Sequence, residues 1–126
     1  MTTPFLCLFI GCMIPWVLAP IAGYYKTQQF GSLDNKNPRA QTAALEGGGA
    51  RAAGAQSNAW EALAVFTAAV LVNHANGGAP GTSATLAVVW VGARLLHAVF
   101  YITDIDKART AAFLVGTVCS ISLFFV

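Results

Sequence analysis

Long apolar runs constrain this chain more than any other feature of its sequence. Residues 4–25, 58–75, 83–103 and 110–126 together contain only two charged side chains. Each run is close to the roughly 20 residues that a helix needs to cross the hydrocarbon core of a bilayer. Soluble domains carry about a quarter charged residues, whereas this chain of 126 residues is 10% charged and 56% hydrophobic. The sequence therefore predicts an integral membrane protein with four spans.

The four runs are predicted to be helices rather than strands of a barrel. Barrel strands are shorter and alternate apolar with polar residues, and these runs show no such alternation. The first run is expected to be retained as a span, because the stretch "MTTPF" before it lacks the basic residues of a signal peptide. The expected fold is all-α: one domain, residues 1–126, forming an antiparallel bundle of four transmembrane helices.

The basic residues outside the apolar runs mark one side of the predicted membrane. Every Lys and Arg except Arg94 lies in the segment 26–57 or in the turn "DIDKAR", whereas the segment 76–82 contains none. Positive residues favour the cytoplasmic side, so we expect both of these segments inside and both termini outside. The net charge of +2 then reflects membrane topology and does not indicate nucleic-acid binding.

The cytoplasmic segment 26–57 changes character along its length. Its first half is rich in Gly, Asp, Asn and Pro, which favour turns, and its second half is dominated by Ala, the strongest helix former. We therefore expect the helix of the second span to begin well before Asn58. Residues 47–49, "GGG", are expected to form a helix break, a flexible elbow or a close crossing of two backbones.

Two polar stripes lie on the second and third predicted helices. Asn58 and Glu61 are three residues apart, and Arg94, His97 and Tyr101 follow at spacings of three and four, so each set shares one helix face. Each charge lies at most about 15 Å from a cytoplasmic segment. Because charges inside a bilayer usually face a partner or a cavity, we expect Arg94 to be the counter-ion of Glu61.

These stripes admit two interpretations from the residues alone. Buried polar contacts of this kind can simply lock helices together. The basic residues Arg51, Lys107 and Arg109 nearby also favour a ligand site for a hydrophilic carboxylate, or for a lipid headgroup. His97 has no second histidine within helical reach, so no metal site is expected, and the three cysteines are expected to be packing residues.

The stretches "RAAGAQSNAWEALAVFTAAVLV" and "ARLLHAVFYITDIDKARTAAFLVG" resemble the MAPEG family, the membrane-associated proteins of eicosanoid and glutathione metabolism. The resemblance extends from Asn35 to Gly116, is strongest to the bacterial branch, and rests on the Asn-x-x-Glu and Arg-x-x-His-x-x-x-Tyr spacings in the correct spans. It implies a left-handed four-helix bundle that assembles as a homotrimer in a bacterial inner membrane, with glutathione bound between subunits near the cytoplasmic face.

The resemblance also implies which residues form the site. Those that match glutathione-binding positions of the relatives are Gln56, Asn58, Glu61, Arg94 and Tyr101. Arg109 falls within one residue of the arginine that lowers the pKa of the glutathione thiol, and it is the expected catalytic residue. The thiolate that such a cation favours is the nucleophile.

The chain departs from the family pattern at several of these positions. Gly54 stands where many relatives have a further ligand-binding arginine, and Arg51, nearly one turn earlier, is expected to substitute for it. Ala62 and His97 replace tyrosines, and His97 is kept among the expected ligand-binding residues.

Two classes of function follow from the sequence. The first is a glutathione transferase or peroxidase that acts on lipophilic small molecules from the bilayer, with glutathione as co-substrate. The second is a non-catalytic small membrane protein, or an accessory subunit of a larger membrane complex, in which the same polar residues only fix packing.

Overall fold

The computed structural model describes all 126 residues as helices and connecting turns, without any β-strand. The chain forms five helices: α1 (Thr3–Phe30), α2 (Pro38–Ala43), α3 (Gly47–Ala75), α4 (Pro80–Ile102) and α5 (Asp106–Leu123). The prediction of an all-α protein is therefore confirmed. Four residues connect α3 to α4 and three connect α4 to α5, so these three helices run antiparallel to their neighbours.

The backbones of the four long helices are not all neighbours. Helices α3 and α4 lie between α1 and α5, whose Cα atoms nowhere come within 8 Å of each other. Helix α4 contacts α1, α3 and α5, so its side chains meet those of every other long helix. This central position explains why α4 carries the largest buried polar side chains of the protein, Arg94 and His97.

The surface of the protein is apolar. Only 28 of the 126 residues are buried, and large hydrophobic side chains point outward on every long helix, among them Phe9, Leu71, Val88 and Val118. Helices α1 and α4 are long and apolar enough to cross a membrane. Helix α3 begins with a stretch rich in Gly and Ala, and α5 begins with three charged residues in its first turn. Such an exterior is stable in lipid rather than in water.

Helix α3 begins at Gly47, eleven residues before Asn58, as the alanine-rich sequence predicted. The triple glycine forms the start of this helix and the close crossing with α1. A Cβ on Gly48 would lie 2.7 Å from the ring of Tyr25, and one on Gly49 would lie 2.8 Å from Leu45. Glycine at both positions therefore allows α3 to start directly against the end of α1.

The segment between α1 and α3 is held by side chains at the end of α1. Gln29 donates from Nε2 to the Ala44 carbonyl at 3.0 Å and accepts the Glu46 N–H at 3.0 Å. Lys26 donates from Nζ to the Pro38 carbonyl at 3.1 Å. These contacts order the turn-rich stretch that the sequence predicted, and within it the short α2, which the sequence did not reveal.

The core combines one aromatic pair with aliphatic side chains and small residues. Phe66 of α3 and Trp90 of α4 stack with ring centroids 3.7 Å apart, and Cys7 and Cys119 pack beside them as the sequence predicted. Closer to the site, Ala52, Ala55 and Ala59 form a buried stripe on α3. Small residues of this kind let helix backbones approach closely, which is how helices associate within lipid.

Candidate functional site

A groove of about 230 Å³ lies between α3, α4 and α5, on the side of the bundle where α1 contributes nothing. Polar and apolar side chains share its wall. The residues that line it are Asn58, Glu61, Ala62, Val65, Trp90, Arg94, Phe113, Gly116, Thr117 and Ser120. Three of the residues predicted for the site, Asn58, Glu61 and Arg94, therefore meet in one groove.

Arg94 is the charged centre of this groove, and its side chain is only 3% exposed. Its Nη2 donates to Asn58 Oδ1 at 2.6 Å and to the Asn58 carbonyl at 3.4 Å. The same nitrogen lies 3.3 Å from His97 Nδ1. Gly116 of α5 faces the side chain, and a Cβ there would lie in van der Waals contact with Arg94 Cδ, at 3.4 Å.

The predicted ion pair between Arg94 and Glu61 does not form: the one salt bridge of this structure joins two other residues, Arg51 and Asp104. Arg94 instead donates to the neutral amide of Asn58, which lies closer to the guanidinium than the Glu61 carboxylate does. Glu61 is exposed at the groove, and its Oε1 accepts a long hydrogen bond of 3.5 Å from Ser57. The carboxylate and the guanidinium thus face the same space without neutralising each other by direct contact.

Part of the Arg94 guanidinium remains available to a ligand. Its Nε and Nη1 donate to no acceptor within the chain. Among the fully enclosed polar side-chain atoms of the protein, Ser83 Oγ alone has no hydrogen-bond partner. Because Arg94 Nε and Nη1 also have no partner, both atoms must be partly exposed. A charged N–H group binds an anionic oxygen strongly, so each of these two free donors suits an anionic group in the groove.

His97 extends the polar line along α4 towards the turn between α4 and α5. Because arginine has donors only, the contact with Arg94 makes His97 Nδ1 the acceptor and leaves the proton of the neutral ring on Nε2. The imidazole also meets Tyr101 edge-on, with centroids 5.5 Å apart, and lies 6.3 Å from the ring of Phe113. His97 is thus buried among Arg94 and two aromatic rings.

Tyr101 and Arg109 meet at the end of this line. The Arg109 guanidinium carbon lies 4.6 Å from the centroid of the Tyr101 ring, a cation–π geometry that joins α5 to α4. Tyr101 itself lies against Gly54 of α3, where a Cβ would come within 2.6 Å of the phenol oxygen. The position at which relatives were expected to carry an arginine is therefore closed by the Tyr101 ring.

Five of the predicted site residues do not line the groove: His97, Tyr101 and Arg109 form the line just described, and Gln56 and Arg51 make their contacts elsewhere. Gln56 points to α1, where its Nε2 donates to the Pro15 carbonyl at 3.2 Å. Arg51 binds the turn after α4, with Nε 3.3 Å from the Ile102 carbonyl and Nη1 3.7 Å from Asp104. Within one chain, neither side chain lines the groove that contains Asn58, Glu61 and Arg94.

The sequence did not reveal the contribution of α5 to the groove. Phe113, Gly116, Thr117 and Ser120 recur at spacings of three, four and seven residues and form one face of that helix. This spacing is a helical signal, but its members are two hydroxyls, a glycine and an aromatic ring. A stripe without charge or amide is easily passed over in an apolar run.

These features define a class of protein: an all-helical membrane protein with a buried, partly free arginine in a groove between its helices. The chain belongs to the MAPEG family, whose family model matches residues 3–126. The resemblance inferred from the polar spacings is thereby confirmed over essentially the whole chain. No curated protein and no solved structure matches the chain.

Proposed function

We propose that this protein binds glutathione in the groove between α3, α4 and α5 and activates its thiol. The thiolate would then conjugate lipophilic electrophiles or reduce lipophilic hydroperoxides from the bilayer. One observation carries the proposal: a buried arginine keeps free N–H donors in a groove that also presents an exposed carboxylate, Glu61. Glutathione carries carboxylates, which can bind the guanidinium, and an ammonium group, which can bind Glu61.

The roles of the residues follow from their contacts. Arg94 binds a carboxylate of the peptide through one of its free N–H donors, while Asn58 holds the guanidinium in place at Nη2. Glu61 binds the ammonium group. Arg109, stacked on Tyr101, supplies the positive charge that favours the thiolate. His97 and Tyr101 connect these two ends and orient the ligand.

The proposal includes the setting of the site. All four long helices cross the membrane, with both termini outside and the groove open towards the cytoplasm of a bacterial inner membrane. Three copies assemble as a homotrimer, in which the part of the groove that α1 leaves open is covered by a neighbouring copy. The apolar residues Val65 and Phe113, both exposed at the groove, give lipophilic substrates access from the lipid side.

A titration with glutathione tests the proposal. Purified protein in detergent is mixed with glutathione near neutral pH, and the thiolate is followed by its ultraviolet absorbance, with the heat of binding measured in parallel. The wild type is expected to bind and to form thiolate. Arg109→Ala is expected to bind but to form little thiolate, whereas Lys107→Ala, which removes an exposed cation two residues away, should behave as the wild type.

A second candidate function is a non-catalytic one, in which the polar residues only fix helix packing. It is favoured by one observation: Asn58 and His97 already provide Arg94 Nη2 with partners on α3 and α4. Under this alternative the wild type gives neither heat nor thiolate absorbance with glutathione, so the same titration decides between the two candidates.

A further inference from the structure

The turn between α4 and α5 depends on a side chain from α3. The last four carbonyls of a helix have no partner within it and must be satisfied by other groups. At the end of α4, backbone N–H groups of the turn satisfy three of them, those of Val99, Phe100 and Tyr101. The fourth, the Ile102 carbonyl, accepts from Arg51 Nε at 3.3 Å. Arg51 therefore completes the end of α4.

The same turn contains the one non-glycine residue of the chain with a positive φ angle, Asp104 at 63°. Its N–H binds the Tyr101 carbonyl, and the next N–H, that of Ile105, reaches back to the Phe100 carbonyl. Helices commonly end with these two hydrogen bonds, and the residue with positive φ is then usually glycine, because glycine adopts the left-handed conformation without strain. Here an aspartate occupies the position, and its carboxylate lies 3.7 Å from Arg51 Nη1.

The turn determines where Arg109 lies. The Ile105 carbonyl accepts the N–H of Arg109 at 3.0 Å in the first turn of α5, so the backbone that carries Arg109 follows directly from the strained residue. The guanidinium of Arg109 then lies over Tyr101, close to the end of α4. On α3, Gly54 receives the Tyr101 ring one helical turn after Arg51. Helix α3 thus holds both the turn and the ring beneath Arg109.

We propose that Arg51 and Asp104 form a latch that positions Arg109 for thiolate formation. In this chain Arg51 is a positioning residue and acts through the turn, rather than by contact with the ligand. The latch rests on the proposed function, because it positions Arg109, the residue proposed to favour the thiolate of glutathione. An exposed ion pair of this kind contributes little to stability, so its effect should be measured at the site and not in the melting temperature.

The first experiment is a pH titration of bound glutathione, followed by thiolate absorbance. Arg51→Gln and Asp104→Gly are each expected to raise the apparent pKa of the bound thiol and to reduce thiolate at neutral pH by about tenfold, since small displacements of a reacting group can cost up to about 100-fold. The double variant should be no worse than either single variant. Arg51→Lys, which keeps a cation within reach of Asp104, should restore most of the thiolate.

Two controls separate position from stability. Arg39→Gln removes an exposed cation of α2 and should leave the titration unchanged. Asp104→Gly also relieves the left-handed strain, so its melting temperature should equal or exceed that of the wild type while its thiolate falls. If both latch variants titrate as the wild type does, the proposed latch is wrong.

Amide hydrogen exchange tests the latch without glutathione. Arg51→Gln is expected to accelerate exchange in residues 103–109, with no change in the rest of the chain, and Arg39→Gln is expected to have no effect there. Unchanged exchange in Arg51→Gln overturns the latch, whatever glutathione does. If the wild type forms no thiolate, the proposed function fails, and the exchange result alone then supports or overturns the latch.

Discussion

The buried guanidinium of Arg94 is stabilised by a hydrogen bond to an uncharged residue, Asn58. A buried guanidinium that loses its hydrogen-bond partner retains the cost of desolvation, and inside a bilayer a charge is more costly still. Asn58 meets this cost through a hydrogen bond of 2.6 Å and leaves the charge of Arg94 intact. Had Glu61 taken that position, the two charges would have cancelled. The amide therefore keeps a positive charge in the groove for an anionic ligand.

Loss of the Asn58 amide should destabilise the protein. Asn58→Ala is expected to lower the free energy of unfolding by about 1–2 kcal/mol, because Arg94 Nη2 loses its shortest hydrogen bond. The measurement is unfolding in mixed micelles by a denaturing detergent. Ser57→Ala, at the exposed neighbouring position, serves as the control and should change stability by less than about 0.5 kcal/mol. Equal losses in both variants would contradict this account of Arg94.

Gly54 should be required for the position of Tyr101. In Gly54→Ala the new methyl group would lie 2.6 Å from the phenol oxygen, so the ring must move and Arg109 must move with it. We expect a loss of about 1–3 kcal/mol in stability, together with weaker thiolate formation from glutathione. Gly92→Ala on α4, where a Cβ meets no atom within 4 Å, is the matched control. A Gly54→Ala protein with wild-type stability and thiolate would show that Tyr101 is free to move.

At the scale of elements, α1 should depend on one glycine for its packing against α4. A Cβ on Gly11 would lie 2.9 Å from the indole of Trp90, which is itself stacked on Phe66 and cannot retreat. Gly11→Ala should therefore cost about 1–3 kcal/mol by overpacking. Gly23→Ala lies in the same helix with open space around it and should be neutral or stabilising by up to about 1 kcal/mol. Thermal unfolding of the two variants in one detergent makes the comparison, and similar melting temperatures would contradict the tight contact.

The polar stripes show how much of the site could be predicted from sequence. Arg94, His97 and Tyr101 form one continuous line because residues at spacings of three and four share a helix face, and this periodicity is fixed by backbone geometry alone. The partner of Arg94 could not be predicted in the same way. Asn58 and Glu61 share a face of α3, and the choice between them depends on the relative height of α3 and α4, which side-chain packing decides.

At the scale of elements, some helix bounds could likewise be predicted from the sequence and others could not. The alanine-rich stretch predicted that α3 begins before Asn58, because propensity acts locally. The short α2 depends on Gln29 and Lys26, which reach it from the end of α1 across 12 to 17 residues of sequence. Contacts across such a separation leave no periodic signal. The sequence therefore predicted the start of α3, which depends on local helix propensity, and missed α2, which depends on side chains of α1.

At the scale of the whole molecule, the exposed apolar surface and the charge distribution predict how the chain lies in the membrane. If all four long helices cross, the connection 76–79 lies on one side, together with the end of α5. The segment 31–37 and the turn 103–105 then lie on the other side. Large apolar side chains exposed on α3 and α5, such as Leu71 and Val118, favour this arrangement, because lipid rather than water covers them at low free energy.

Cysteine labelling in intact cells should test that arrangement. In a background in which Cys7, Cys12 and Cys119 are replaced by Ala, single cysteines are introduced at four exposed positions, Ser32, Ala79, Thr103 and Phe125. A membrane-impermeant maleimide is expected to label the cysteines at 79 and 125 from outside, and those at 32 and 103 only after permeabilisation. The reason is the excess of Lys and Arg beside positions 32 and 103, which retains those segments in the cytoplasm.

Each departure from this pattern has a distinct meaning. Reversed labelling at all four positions would preserve the four spans and overturn the orientation. Labelling of positions 32 and 79 from the same side would mean that α3 does not cross, and labelling of 103 and 125 from the same side would mean that α5 does not. In either case the groove between α3, α4 and α5 would not form within the bilayer as proposed, and the high cost of an unpaired charge in lipid would not be the reason for the contacts of Arg94.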